Sequence, residues 1–161
     1  MFFNFVIGFI IPWILGVWIY KRNSIIVILI APIGVVAATV INEWGFNYLW
    51  KFKPFLNNQS LSALPLDLGI YPVLACYFIY LVNRGIGNKY TLLLLFAIFI
   101  TLLEWIAVKS DRVIYLNGWN IGWTFCVYLL TFMVIYRYYK LLQNKNYLKR
   151  QDSSRVVKLS I

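Results

Sequence analysis

"SIIVILIAPIGVVAATVINEW", Ser24 to Trp44, runs nineteen residues without a charge before it reaches Glu43. A helix rises about 1.5 Å per residue and needs roughly 20 apolar residues to cross a hydrocarbon core of about 30 Å. This stretch meets that length alone. Four other runs approach it: Phe2–Tyr20, Leu66–Val82, Tyr90–Val108 and Gly122–Tyr139. Of the 161 residues, 62% are hydrophobic and 12% charged, whereas soluble domains carry about 45–50% apolar and about 25% charged residues. A soluble fold of this size has no interior large enough to hide so much apolar surface. The pattern therefore predicts an all-α integral membrane bundle of about five transmembrane helices, followed by a basic tail over residues 143–161. Pro12, Pro32 and Pro72 fall inside runs, where neighbouring helices satisfy freed backbone groups, so they predict kinks rather than breaks.

The formal net charge of +10 does not point to nucleic acid. Lys and Arg are spread through short connections and one tail, as the positive-inside rule expects of a membrane protein. Placing the N-terminus outside puts Lys21, Arg22, Arg84, Lys89 and seven residues from Arg137 to Lys158 inside, against Lys51, Lys53, Lys109 and Arg112 outside. Eleven against four predicts N-terminus out and C-terminus in. The first run lacks the leading charges and small-residue cleavage site of a signal peptide, so it reads as a retained span. The tail reads as a topology determinant, with anionic inner-leaflet lipid as its natural partner.

Two acids stand where an apolar span is least hospitable to them. Glu43–Trp44 ends the second run, and Glu104–Trp105, in "ITLLEWIAVK", ends the fourth. A charged acid at the bilayer centre costs about 2.5–3.5 kcal/mol on insertion scales, and a helix C-terminus is the wrong end of the dipole for an anion. Each pair is followed by a loop and then by Asp/Asn-x-Gly: Asp67 to Gly69 in "LDLGIYP", and Asn120 to Gly122 in "WNIGWTF". This suggests a partial internal repeat. Asp67 and Asn120 read as N-caps of the third and fifth spans. The glutamates read either as partners of Lys51, Lys53, Lys109 or Arg112, or as the centre of a ligand pocket. That pocket would comprise Glu43, Asp67, Glu104 and Asn120, walled by Trp44, Trp105, Trp119, Trp123 and Tyr71. Carboxylates framed by aromatic faces suit a cationic or amine-bearing ligand, or proton coupling.

Other chemistry finds little support. The sequence has no histidine, and it contains no HExxH, GxSxG or P-loop, so the commonest general base is missing. Cys76 and Cys126 lie within apolar runs without ligand spacing and read as packing residues, and neither a metal nor a cofactor is expected. "NQS", Asn58 to Ser60, fits the N-glycosylation pattern but is a short match.

From Leu64 to Arg137 the chain resembles a family of small multispanning membrane proteins of Bacillus and Clostridium relatives. The resemblance rests on Asp67, Tyr71 and Pro72 (an Asp-x-x-x-Tyr-Pro opening), on Thr101, Leu102 and Glu104 (a Thr-Leu-x-Glu-Trp span end), and on Gly118 and Trp119. It implies a bacterial cytoplasmic-membrane protein, with a weak link to spore-formers, and it brings no activity with it. The expected function is binding or sensing at an outward-facing acidic and aromatic cluster, within a homo-oligomer or larger membrane complex. Two alternatives remain at this point. One is a small proton-coupled transporter acting as an oligomer; the other is a membrane enzyme using paired carboxylates on lipid or isoprenoid substrates.

Overall fold

The computed structural model describes residues 1–147; most of the expected basic tail, residues 148–161, lies outside them. The described chain is predominantly helical. Helix α1 (Phe2–Phe5), a π-helical stretch (Val6–Ile10) and α2 (Ile11–Arg22) form one continuous span. Helix α3 (Ser24–Tyr48) leads into strand β1 (Trp50–Phe52), then α4 (Ser60–Asp67) and α5 (Ile70–Asn83). Helix α6 (Lys89–Lys109), strand β2 (Val113–Tyr115) and α7 (Ile121–Asn144) complete it. Five helical segments are long and apolar enough to cross a membrane: Phe2–Arg22, Ser24–Tyr48, Ser60–Asn83, Lys89–Lys109 and Ile121–Asn144.

The third run, shortest in the sequence, becomes the hub. Helix α5 packs against α2, α3, α4, α6 and α7, and most of its side chains are buried. A helix surrounded by protein does not need a full lipid-matched run of its own. Close approach to α3 depends on small residues, as is usual between membrane helices. A Cβ added at Gly34 would lie 2.7 Å from Pro72 Cα and 3.3 Å from Ala75 Cβ. Deeper in the bundle Phe78, Phe96 and Phe132 form a mutually packed trio, with ring centroids 5.4–5.7 Å apart.

The prolines act differently from one another. Helix α3 continues through Pro32, and Pro12 opens α2 just after the π-helical stretch. Pro72, with no N–H to offer, sits four residues after Leu68, at the break between α4 and α5. The Leu68 carbonyl that an ordinary residue 72 would bond is instead taken by the Trp13 indole N–H at 2.8 Å. At the same break Gly69 lies so close to the first span that a Cβ would fall 2.0 Å from the Gly8 carbonyl oxygen.

An unexpected element closes one end. β1 and β2 pair antiparallel, Trp50 opposite Tyr115 and Phe52 opposite Val113, and cover a small second core of Trp50, Phe52, Ala63 and Val113. The segment "KFKPFLNNQSLSALP", expected as loop, holds part of β1 and most of α4. Asn58 accepts the Ser60 N–H at 3.0 Å where α4 begins. Buried Asn4 donates to the carbonyls of Lys53 and Ser62, both at 2.9 Å, and so pins the start of the first span beneath the ribbon.

Candidate functional site

Glu104 projects from α6 beneath the ribbon, and its carboxylate is met by hydroxyls from two other elements. Thr124 and Tyr128 are four residues apart on α7, hence on one face. Thr124 Oγ1 donates to Glu104 Oε1 at 3.2 Å, and the Tyr128 hydroxyl donates to Oε2. The Tyr115 hydroxyl, carried by β2, donates to Oε1 at 2.6 Å. Burial raises the Tyr115 phenol above its ordinary pKa, and the Glu104 carboxylate beside it pushes the same way. Tyr115 therefore stays a proton donor across the physiological range. The set extends outward through the Trp119 indole N–H, 2.9 Å from Thr124 Oγ1, and through Tyr71, whose hydroxyl is 3.4 Å from that of Tyr128.

Asp67 belongs to a neighbouring pair. It is 3% exposed and accepts a 2.6 Å hydrogen bond from Asn42 Nδ2. Asn42 Oδ1 in turn accepts from the Trp50 indole at 3.3 Å, and Trp50 packs on Trp119 with centroids 5.2 Å apart. The two acids are thus joined by Asn42, the paired indoles and Thr124. This places them in one assembly without direct contact.

Glu104 lines two cavities. The smaller, about 50 Å³, also includes Asn42, Trp50, Tyr71, Trp119 and Tyr128. The larger, about 230 Å³, lies between the first span and α6, bordered by Phe3, Ile7, Leu66, Ile70, Leu103 and Arg112. A carboxylate offers about four lone-pair directions. Three are occupied, two on Oε1 and one on Oε2, which leaves a direction on Oε2 open.

The remaining residues expected at the site stand elsewhere. Glu43, Trp44, Trp105 and Trp123 are exposed. Neighbouring helical positions point about 100° apart, and α3 turns Asn42 inward and Glu43 outward. Trp123 forms an outer layer, stacked on Trp119 at 6.4 Å. Asn120 is the N-cap of α7, its side chain accepting from Gly122 and Trp123 N–H at 2.9 and 3.3 Å. Asp67, expected to cap the third span, is instead the last residue of α4 and makes no such bond, because that helix begins seven residues earlier at Ser60. The two repeat units share the order helix, strand, helix, but their Asp/Asn positions do not correspond.

Nor is Glu104 held by the expected cations. Lys109 lies over the Trp105 ring at 5.8 Å, Arg112 over Phe3 at 4.1 Å and Lys53 over Phe55 at 5.9 Å. Asn42, Trp50, Tyr115, Thr124 and Tyr128 are the site residues that sequence reasoning missed. The four-residue spacing of Thr124 and Tyr128 was the one available signal. Among the described residues, no three His, Cys, Asp or Glu side chains gather as a metal site requires. Comparison with family models, curated proteins and solved structures finds no match to the chain.

Proposed function

We propose that the chain is a multispanning membrane protein that binds an amine-bearing amphiphile, with the ammonium at Glu104 and the apolar part in the groove beside α6. The observation that carries this is the position of Glu104 in the wall of both cavities with one acceptor direction unused. Its hydrogen-bond donors are neutral hydroxyls, so none of the groups bonded to the carboxylate carries a compensating charge. The rings of Tyr71 and Tyr128 supply aromatic faces beside it. The groove's lining is largely apolar and lies between two spans, which suits entry from the lipid rather than from water. By the balance of Lys and Arg, the ribbon end faces outward and the C-terminal end inward. The resemblance to Bacillus and Clostridium proteins makes the bacterial cell membrane the proposed location.

The test uses the full chain in nanodiscs of zwitterionic lipid, titrated with dodecylamine, dodecanol and dodecyl phosphate while tryptophan fluorescence is followed. The amine should give a saturable response through Trp50 and Trp119, and Glu104→Gln should weaken it by about tenfold or more while helical content is retained. Preference for the phosphate would assign the groove to Arg112 instead. That result, or an unchanged response in Glu104→Gln, sinks the proposal.

A further inference from the structure

The opposite end of the bundle has the reverse charge problem. Lys21, Arg22, Arg84, Lys89, Arg137, Lys140 and Lys145 all lie there, at or near the ends of α2, α5 and α7 and the start of α6. The four acids among the described residues, Glu43, Asp67, Glu104 and Asp111, belong to the ribbon end. Some of this charge is absorbed by rings: Arg22 lies over Trp18 at 5.7 Å and Arg84 over Tyr80 at 5.4 Å. Two lysines share a cavity of about 260 Å³, where Lys89 and Lys140 stand with Asn88, Tyr136 and Gln143. Lys89 Nζ lies 4.9 Å from the Tyr90 ring centre and 5.7 Å from that of Tyr136. Like charges facing one cavity repel unless an anion lies between them.

The polar groups of this region are linked in a chain of hydrogen bonds. Gln143 Nε2 donates to the Tyr139 hydroxyl at 2.6 Å, and Tyr139 donates to Asn83 Oδ1 at 2.9 Å. Asn83 is fully buried, and its Nδ2 finds no acceptor among the described residues. The cavity mouth takes in the start of α6, the positive end of that helix's dipole. Gly87, with φ +76°, has nothing within 4 Å of where a Cβ would stand, so the approach is open. Beside the mouth Ile86 is 50% exposed and Tyr90 68% exposed, apolar surface that an acyl chain would cover and a free ion would not.

We propose that this cavity holds the phosphodiester of an anionic phospholipid from the leaflet at that end, between Lys89 and Lys140. It is separate from the Glu104 centre and does not depend on how that centre is assigned. Native mass spectrometry of the detergent-solubilised full chain, offered phosphatidylglycerol and phosphatidylcholine of identical chains, tests it. One phosphatidylglycerol should be retained in preference to phosphatidylcholine. Lys89→Gln with Lys140→Gln should lower that retention about tenfold. Lys89→Arg with Lys140→Arg should keep it, as should Lys145→Gln, which changes an exposed lysine outside the cavity. Equal retention of the two lipids overturns the proposal, as does retention unaffected by the double Gln variant, which would place the lipid on the tail. Displacement by millimolar inorganic phosphate also overturns it, assigning the site to a free anion.

Discussion

Glu104 is served by hydroxyls alone, and that sets how the site responds to substitution. Removing the Tyr128 hydroxyl strips Oε2 of its one protein donor. Hydrogen bonds to charged groups contribute about 1.5–3 kcal/mol. Tyr128→Phe should therefore lower the unfolding midpoint of the full chain in nanodiscs, and Thr124→Val should do so as well, because it takes a donor from Oε1 and the acceptor from the Trp119 indole. A Tyr128→Phe variant as stable as the parent would mean that the carboxylate does not need this donor. The acids, Tyr71 and Trp119 announced themselves in the sequence as chemistry out of place in apolar runs. Asn42, Thr124 and Tyr128 did not, because amides and hydroxyls are ordinary in such runs and acquire meaning only from the face they occupy. The Glu43–Asn42 inversion illustrates this: the sequence marks the charged residue, and the helix turns its neutral neighbour inward.

At the scale of elements, the break between α4 and α5 is held by a side chain from another span. Trp13→Phe would keep an aromatic side chain and remove the N–H that satisfies Leu68, at a cost of about 0.5–1.5 kcal/mol for the lost hydrogen bond. Pro72→Ala restores a backbone N–H four residues after Leu68. On the Trp13→Phe background it should recover part of the lost stability, so that thermal unfolding of the four-member cycle is non-additive. Strict additivity would show that the two residues do not share the Leu68 carbonyl. Gly69→Val should be worse than either, since its side chain meets the Gly8 backbone, which has no rotamer with which to move aside. Five runs made the spans readable in advance; the prolines, expected as kinks, did not, since Pro72 stands at a break and Pro12 at a helix start. Helix α4 was hidden because Pro54, Asn57, Asn58 and Pro65 give its neighbourhood the composition of a loop. The ribbon was hidden because three-residue strands leave no periodicity to detect.

For the whole molecule, the decisive property is charge separation along the bundle: among the described residues the acids lie at the ribbon end and the other end carries cations alone. The orientation this implies is directly checkable. In a Cys126→Ser background, with Cys76 buried, Ser110→Cys should react with a membrane-impermeant maleimide on intact cells. Lys145→Cys should react only after the membrane is opened, and the reverse pattern would invert the topology. The ribbon itself joins the two Glu-Trp helices. β1 follows α3 after Leu49 alone, and β2 follows α6 after three residues, Ser110 to Arg112. With tethers so short, α6 cannot tilt away from α3 without shearing the two strands past each other. The exposed Lys51–Ile114 pair at the centre of the ribbon is therefore tied to the two helices whose side chains wall the cavities at Glu104. A change of volume inside the bundle would then register as a change of shape on a small patch at the surface.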